Sequence, residues 1–508
     1  MFTQITSLAR TLPEGLGLKY TRHLYNRCCR PSTTKLDPLF VQESPTVSRA
    51  ILTEGSVRAH LIRLTTPMIW GILAMMAFNV TDTWFCAQLG ARELAAMSFT
   101  FPVVMVVISL GIGLMAGTSS VLARVIGQGD ERRIKRLTTD ALTFSILISI
   151  VLSLTGIFTV NPLFRLLGAS EDLLPLIRDY MLVWYAGLVA IIVPMAGIGA
   201  IRATGDSHFQ SRIMIAAAVV NLILDPLLIF GLLGFPRLEL QGAAIATIAA
   251  RTTTIAAGFW ALHYKHRMLS YELPRPSAVL RSWASVLHVG LPAAGTNIII
   301  PVSTGIIVAM IAGFGTEAVA GFGAAVRIEG VTLVIFYAMS AIIGPFVGQN
   351  LGAGKPRRIR EAIKRCAVFC TVSGLGIAIL LSLFAVMLIG LFTDNPRVLN
   401  VGVAYLWIVP LSYGPAGIVM VVNATFNGLG RPYPAVAISI LRVIVLYLPL
   451  AYAGGKLAGI GGIFAAACIA NVLAGIIAYL WLARVTKKAA LADKPGYDGG
   501  RPAPDAGV

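Results

Sequence analysis

The octapeptide GQGDERRI at residues 127–134 returns as GAGKPRRI at residues 352–359. The copies stand 225 residues apart, the offset that also pairs Pro67 with Pro292, Gly90 with Gly315 and Gly205 with Gly430. Each octapeptide is a polar stretch between the second and third long apolar runs of its half. Sequence, position and offset therefore agree, and the chain reads as a tandem duplication.

Outward from these loops, apolar runs recur from near Leu61 to near Leu482. A bilayer core of about 30 Å needs roughly 20 such residues per helix. The runs predict helices over 61–86, 94–121, 137–160, 173–201, 209–232 and 241–263 in the first half. Those of the second half span 282–312, 318–346, 362–391, 398–427, 433–453 and 461–483. They are continuous rather than alternating, which favours helices over barrel strands. Six is an even number, so the second copy enters the membrane from the same side as the first. The expected fold is an all-α integral membrane protein of about twelve helices, built as two parallel six-helix repeats with a cavity between them. The expected lobes are 60–265 and 282–486, joined by a cytosolic linker at 266–281 and flanked by cytosolic tails at 1–59 and 487–508.

Composition agrees with that reading. With 56% apolar and 13% charged residues, a chain of 508 residues has too little polar surface to cover a soluble globule. Its mean hydropathy is +0.79. A net charge of +18 could point to nucleic acid, but the basic residues cluster between the apolar runs instead of forming one basic domain. They crowd alternate loops: Arg124, Arg132, Arg133, Lys135 and Arg136, then Arg202 and Arg212, Lys265 to Arg281, Lys355 to Arg365, and Arg431 and Arg442. Opposite them stand only Arg92, Arg165, Arg237, Arg397 and Lys456. The positive-inside bias then puts both termini in the cytosol of a cell whose inner, or plasma, membrane holds the chain. Residues 1–59 lack an apolar stretch with a cleavage site and read as a loosely ordered tail. Among six cysteines, Cys28 and Cys29 are adjacent and none forms a paired CxxC metal pattern, so neither disulfide nor metal centre is expected.

An ionised side chain at mid-membrane is costly, so the few acids inside the runs are functional candidates. Asp82, in NVTDTWF, lies about 6 Å from the outer end of helix 1. Asp225, in NLILDPLLIFG, lies about 10 Å from the outer end of helix 5, with Asn221 one turn deeper on the same face. Thr247 enters helix 6 to a similar depth, roughly 9 Å. Singly, Asp82 reads as a hydrated interfacial acid and Thr247 as a hydroxyl bonded to its own helix. Together they form an oxygen-rich cluster suited to Na⁺ or a shared proton. Adding the repeat offset lands on Ile307, Leu446 and Leu450, so this cluster belongs to the first half alone. Arg251, one turn below Thr247, is a candidate counter-charge. Arg327 and Glu329 stand two apart, share no helix face, and are candidate gating or structural residues. Pro102, Pro194, Pro292, Pro301, Pro345 and Pro410 interrupt helices, as in bundles that bend. No HExxH, GxSxG or Asp-rich motif supports an enzyme, and no repeated filter segment supports a channel.

The stretches NVTDTWFCAQLG, RVIGQGDERR, IRATGDS, NLILDPLLIFG, AAVRIEG and VGQNLGAGKPRR resemble the multidrug and toxic compound extrusion family, over about residues 55–485. The resemblance implies two lobes around a V-shaped cavity, and export of cationic or amphipathic small molecules against Na⁺ or H⁺. The family's helix 1 acid falls on Asp82, its helix 5 Asn and Asp on Asn221 and Asp225, and its helix 6 Thr on Thr247. Some members carry coupling acids in helices 7 and 10; the matching stretches here, 282–312 and 398–427, hold none. The implied protein is a monomeric secondary transporter with no cofactor beyond the ion and no nucleic-acid partner. A flippase for lipid-linked or polysaccharide precursors is the alternative.

Overall fold

In the first repeat two helices begin at an aspartate. Asp130 closes the first octapeptide loop by accepting the Arg133 backbone N–H at 3.0 Å, and Asp206 accepts that of Phe209 at 3.1 Å. Both are N-caps that satisfy an otherwise unpaired donor. The glycines shared by the repeats end the preceding helices in the left-handed region: φ is +86° at Gly205 and +71° at its partner Gly430. A side chain is strained there, which accounts for glycine in both copies.

The computed structural model describes residues 50–272 and 275–491. Residues 1–49 and 492–508 of the tails expected at 1–59 and 487–508, with Cys28 and Cys29, lie outside the described residues. The first lobe contains α1 (Val57–Ala87), α2 (Ala91–Gln128), α3 (Glu131–Leu166), α4 (Leu174–Ala186), α5 (Leu188–Thr204), α6 (Ser207–Phe230) and α7 (Glu239–Trp260). A π-helical turn, Ala261–Lys265, leads out of it. The second lobe contains α8 (Pro276–Ala312), α9 (Thr316–Thr332), α10 (Val334–Gly352), α11 (Pro356–Gly390), α12 (Pro396–Ile408), α13 (Tyr413–Gly428), α14 (Tyr433–Ile440) and α15 (Leu448–Leu491).

Three expected spans are broken. The stretch 173–201 becomes α4 and α5, bent by 45° at Gly187, where an added Cβ would collide with the Ile248 side chain. The stretch 318–346 is interrupted at Leu333 between α9 and α10, and 398–427 at the 3₁₀ turn Val409–Ser412, which holds Pro410. Conversely, the last two expected helices run together from Tyr433 until Ala458 and Gly459 leave helical geometry. Among the described residues ten stretches are long and apolar enough to cross a membrane, eleven with the bent pair. One of them, Tyr433–Lys487, folds back at that break, which brings the architecture to the expected dozen.

The lobes meet along α2, which packs on α8 and α10. At Gly117 a Cβ would strike the Val286 carbonyl of α8, so the two backbones touch. Hydrogen bonds between the lobes gather at the end carrying the basic loops. Residues 50–56, expected to be loose, take part: Leu52 is 1% exposed, and its backbone N–H donates to Gln349 Oε1 at 3.1 Å. Asn350 Nδ2 donates to the Leu52 carbonyl at 3.1 Å, and Arg358, from the second octapeptide, donates to the carbonyls of Leu52, Glu54 and Gly55. This segment is ordered because the second lobe supplies its backbone partners, information that a local reading of residues 1–59 lacks.

Candidate ion site and transport cavity

In the first lobe α6 packs against both α1 and α7, and this sets three oxygen-bearing segments side by side. Asn221 and Asp225 are both fully buried, and Asn221 Nδ2 donates to Asp225 Oδ1 at 2.9 Å. Their i, i+4 spacing on α6 makes this bond, as the sequence implied. The remaining oxygens, Asn221 Oδ1 and Asp225 Oδ2, are buried with no hydrogen-bond partner among the described residues, and so is Asp82 Oδ1 on α1. Asp82 lies within electrostatic reach of Asp225, and both act on Tyr180 of α4, which is 8% exposed, and on Cys86. Three orphaned acceptors, two of them carboxylate oxygens, each represent an unmet cost of about 1–3 kcal/mol. A cation or proton would relieve it.

Thr247 makes no hydrogen bond among the described residues, whereas Thr252 and Thr253 on the same helix bond back to Ile248 and Ala250. Its hydroxyl is therefore not spent on its own helix. Arg251 forms no ion pair among the described residues; its guanidinium lies 5.7 Å over the Phe78 ring, a cation–π contact. Arg327 is exposed and likewise forms no ion pair among the described residues. Glu329 is a different case, accepting a short hydrogen bond from the hydroxyl of Tyr405 on α12, within electrostatic reach of Arg442. The second lobe thus holds a half-buried acid of its own; Glu329 falls opposite Val104 in the first repeat, while its partner Tyr405 is the repeat counterpart of Tyr180 beside the first-lobe cluster.

Between the lobes lies a cavity of about 510 Å³. Two of the arginines assigned above to cytosolic loops line it. Arg202 sits inside α5, and Arg442 occupies the π-helical turn Leu441–Tyr447. Their neighbours include Asn79, Asn297, Asn423 and Asn427, and no Asp or Glu lines the cavity among the described residues. A single Arg in an apolar run marks a helix just as it marks a loop edge, so charge counting alone misplaces it. Position inside the 433–453 run was the signal for Arg442.

The model of the MatE family matches residues 67–227 and again 292–453, with starting points 225 residues apart. The chain belongs to the MatE family. The repeat read from the octapeptides is the family's own, and like other MatE proteins this chain is a multi-pass membrane transporter and not an enzyme. It is similar, at 40% identity over 87% of its length and 98% of the relative's, to an "FAD transporter" of Shewanella oneidensis. At 25% identity over 78% and 85% it is similar to a "probable multidrug resistance protein NorM" of Thermotoga maritima. The Vibrio cholerae MATE transporter VcmN in its bent form is similar in structure, with a TM-score of 0.81, 32% identity and coverage of 86% and 99%.

Proposed function

We propose that this MatE protein is an ion-coupled exporter with both termini cytosolic. A proton or Na⁺ binds at Asp82, Asn221, Asp225 and Thr247, and the central cavity carries an anionic, aromatic, hydrogen-bond-rich solute of the flavin dinucleotide class. The observation that carries the substrate reading is the cavity wall: two arginines, four asparagines and no carboxylate among the described residues. Arginine forks pair with phosphate oxygens two at a time, and asparagine amides match the edges of heterocycles. A relative named as an FAD transporter supports the same class. Coupling follows if the ion and the solute prefer opposite states of the lobes, since a ligand shifts an equilibrium only by its differential affinity.

A second reading, export of cationic or amphipathic drugs, is favoured by one feature. Met75, Met76, Met115, Met214 and Met420 line the same cavity, a soft wall that adapts to varied apolar shapes. Proteoliposomes given a pH or Na⁺ gradient decide between them. Flavin dinucleotide should move, with Arg202→Gln and Arg442→Gln each lowering its transport by about tenfold while ethidium is unaffected or improved. Ethidium transport with no flavin transport moves the assignment to the drug exporter. Movement of lipid-linked diphosphates alone moves it to the flippase.

A further inference from the structure

The repeat offset relates two grooves at the basic end of the bundle that differ in contents. In one, α8 meets α3: Trp283 stacks on Phe144 with ring centroids 5.1 Å apart, and its indole N–H donates to the Asp140 carbonyl at 2.9 Å. Subtracting 225 from 283 gives Arg58, and adding 225 to 144 gives Phe369. These residues belong to the equivalent meeting of α1 with α11. There the aromatic plug is missing, and a groove of about 1010 Å³ stands open instead.

Its wall is apolar along most of its length, with Leu61, Ile62 and Ile69 from α1 facing Val368, Phe369 and Val372 from α11. Ile62, Val368 and Val372 are 56%, 56% and 66% exposed. The groove runs from Arg58 to Ile69, roughly 16 Å of helix and about the thickness of one leaflet. Charge gathers at its basic end. Arg365 is paired with Glu361 at 2.7 Å, but Arg58 and Lys364 have no ion-pair partner among the described residues. A ligand matching this wall has an apolar tail one leaflet long and an anionic head at the leaflet surface.

We infer that this groove is a binding site for an anionic phospholipid of the leaflet at the basic end, with its phosphate between Arg58 and Lys364 and an acyl chain along Ile62, Val368 and Val372. Basic pockets between transmembrane helices recognise such headgroups through the same two forces, charge and apolar burial. The site joins the lobes, because α1 belongs to the first repeat and α11 to the second. A lipid seated here contacts both lobes and biases their alternation.

The test uses the full chain, purified and delipidated, with phosphatidylglycerol and phosphatidylcholine as probes and native mass spectrometry as the readout. Phosphatidylglycerol should be retained over phosphatidylcholine, and the double variant Arg58→Gln, Lys364→Gln should lose roughly tenfold or more of that preference. Val372→Trp, which rebuilds a plug like that of the other groove, should displace both lipids while leaving the detergent unfolding temperature unchanged. Equal retention of the two lipids by the wild type, or a preference that survives both variants, overturns the assignment. So does full competition by glycerol 3-phosphate, which would mark the site as one for a free anion. Displacement of the bound lipid by ethidium or flavin dinucleotide at transport concentrations would make the groove part of the substrate path and overturn it equally.

Discussion

The two repeats share a backbone plan and differ in what they bury. Asp82, Asn221 and Asp225 in the first stand where Ile307, Leu446 and Leu450 stand in the second, and Ile307 is 1% exposed. The second lobe carries Glu329 instead, opposite Val104 of the first, bonded to Tyr405, whose counterpart Tyr180 lies beside the first-lobe cluster. The positions held in common are those the backbone requires, such as the left-handed glycines that end helices. The positions that diverge are those where chemistry is placed. Duplication thus supplied a similar scaffold, and the two halves then diverged at these side chains and at helix breaks such as Leu333, where the first-repeat counterpart α2 is continuous.

The largest effect on this comparison should come from Asp225→Asn or Asp82→Asn, each lowering gradient-driven transport by up to about a hundredfold, the range of coupling energies between linked sites. Full transport in both would remove the proposed ion site. Next in size, Asn221→Leu leaves Asp225 without its donor, and should cost about 1–3 kcal/mol of stability in a thermal unfolding assay. The same unfolding assay on Leu446→Ala, its counterpart in the second repeat, separates loss of a hydrogen bond from loss of packing. Glu329→Gln keeps an oxygen for the Tyr405 hydroxyl and, on the view that the second lobe does not hold the ion, should change transport only a few-fold. A loss as deep as that of Asp225→Asn would put a coupling acid in each lobe.

The smallest effect is a pH dependence at the basic end. Burial raises the Asp206 carboxyl, but the His266 ring 3.4 Å away, hydrogen bonds from Lys265 and the Phe209 N–H, and the Lys265 charge 2.5 Å away outweigh it and hold the group well below its ordinary value. A depressed carboxyl contributes stability above its unfolded value, and this is lost as pH falls through the folded one. Unfolding temperature should therefore fall below about pH 4. Asp206→Asn should flatten that part of the profile, slightly, since the carboxylate is partly solvated.

Much of the candidate site was legible because it is written in local spacing. Asn221 and Asp225 stand four apart on one helix, and that distance dictates their bond wherever the helix goes. Asp82 and Thr247 were read as depths along their own helices. Arg251 was not, because whether a guanidinium meets a carboxylate or the Phe78 ring depends on helix rotation. Arg202 and Arg442 were read as loop charges because a positive residue near a helix end looks the same whether it faces cytosol or a cavity.

By itself the sequence determined that the chain crosses a bilayer about twelve times in two like halves, because apolar length and the 225-residue offset are properties of the chain before it folds. It also determined which acids are too costly to bury without purpose. Only the tertiary structure decided that Leu52 is seated between the lobes, that two arginines line the cavity, and that Trp283 stacks on Phe144 in one groove while its twin lacks that ring. Those outcomes depend on contacts between residues hundreds of positions apart, and such contacts are set by how whole helices pack.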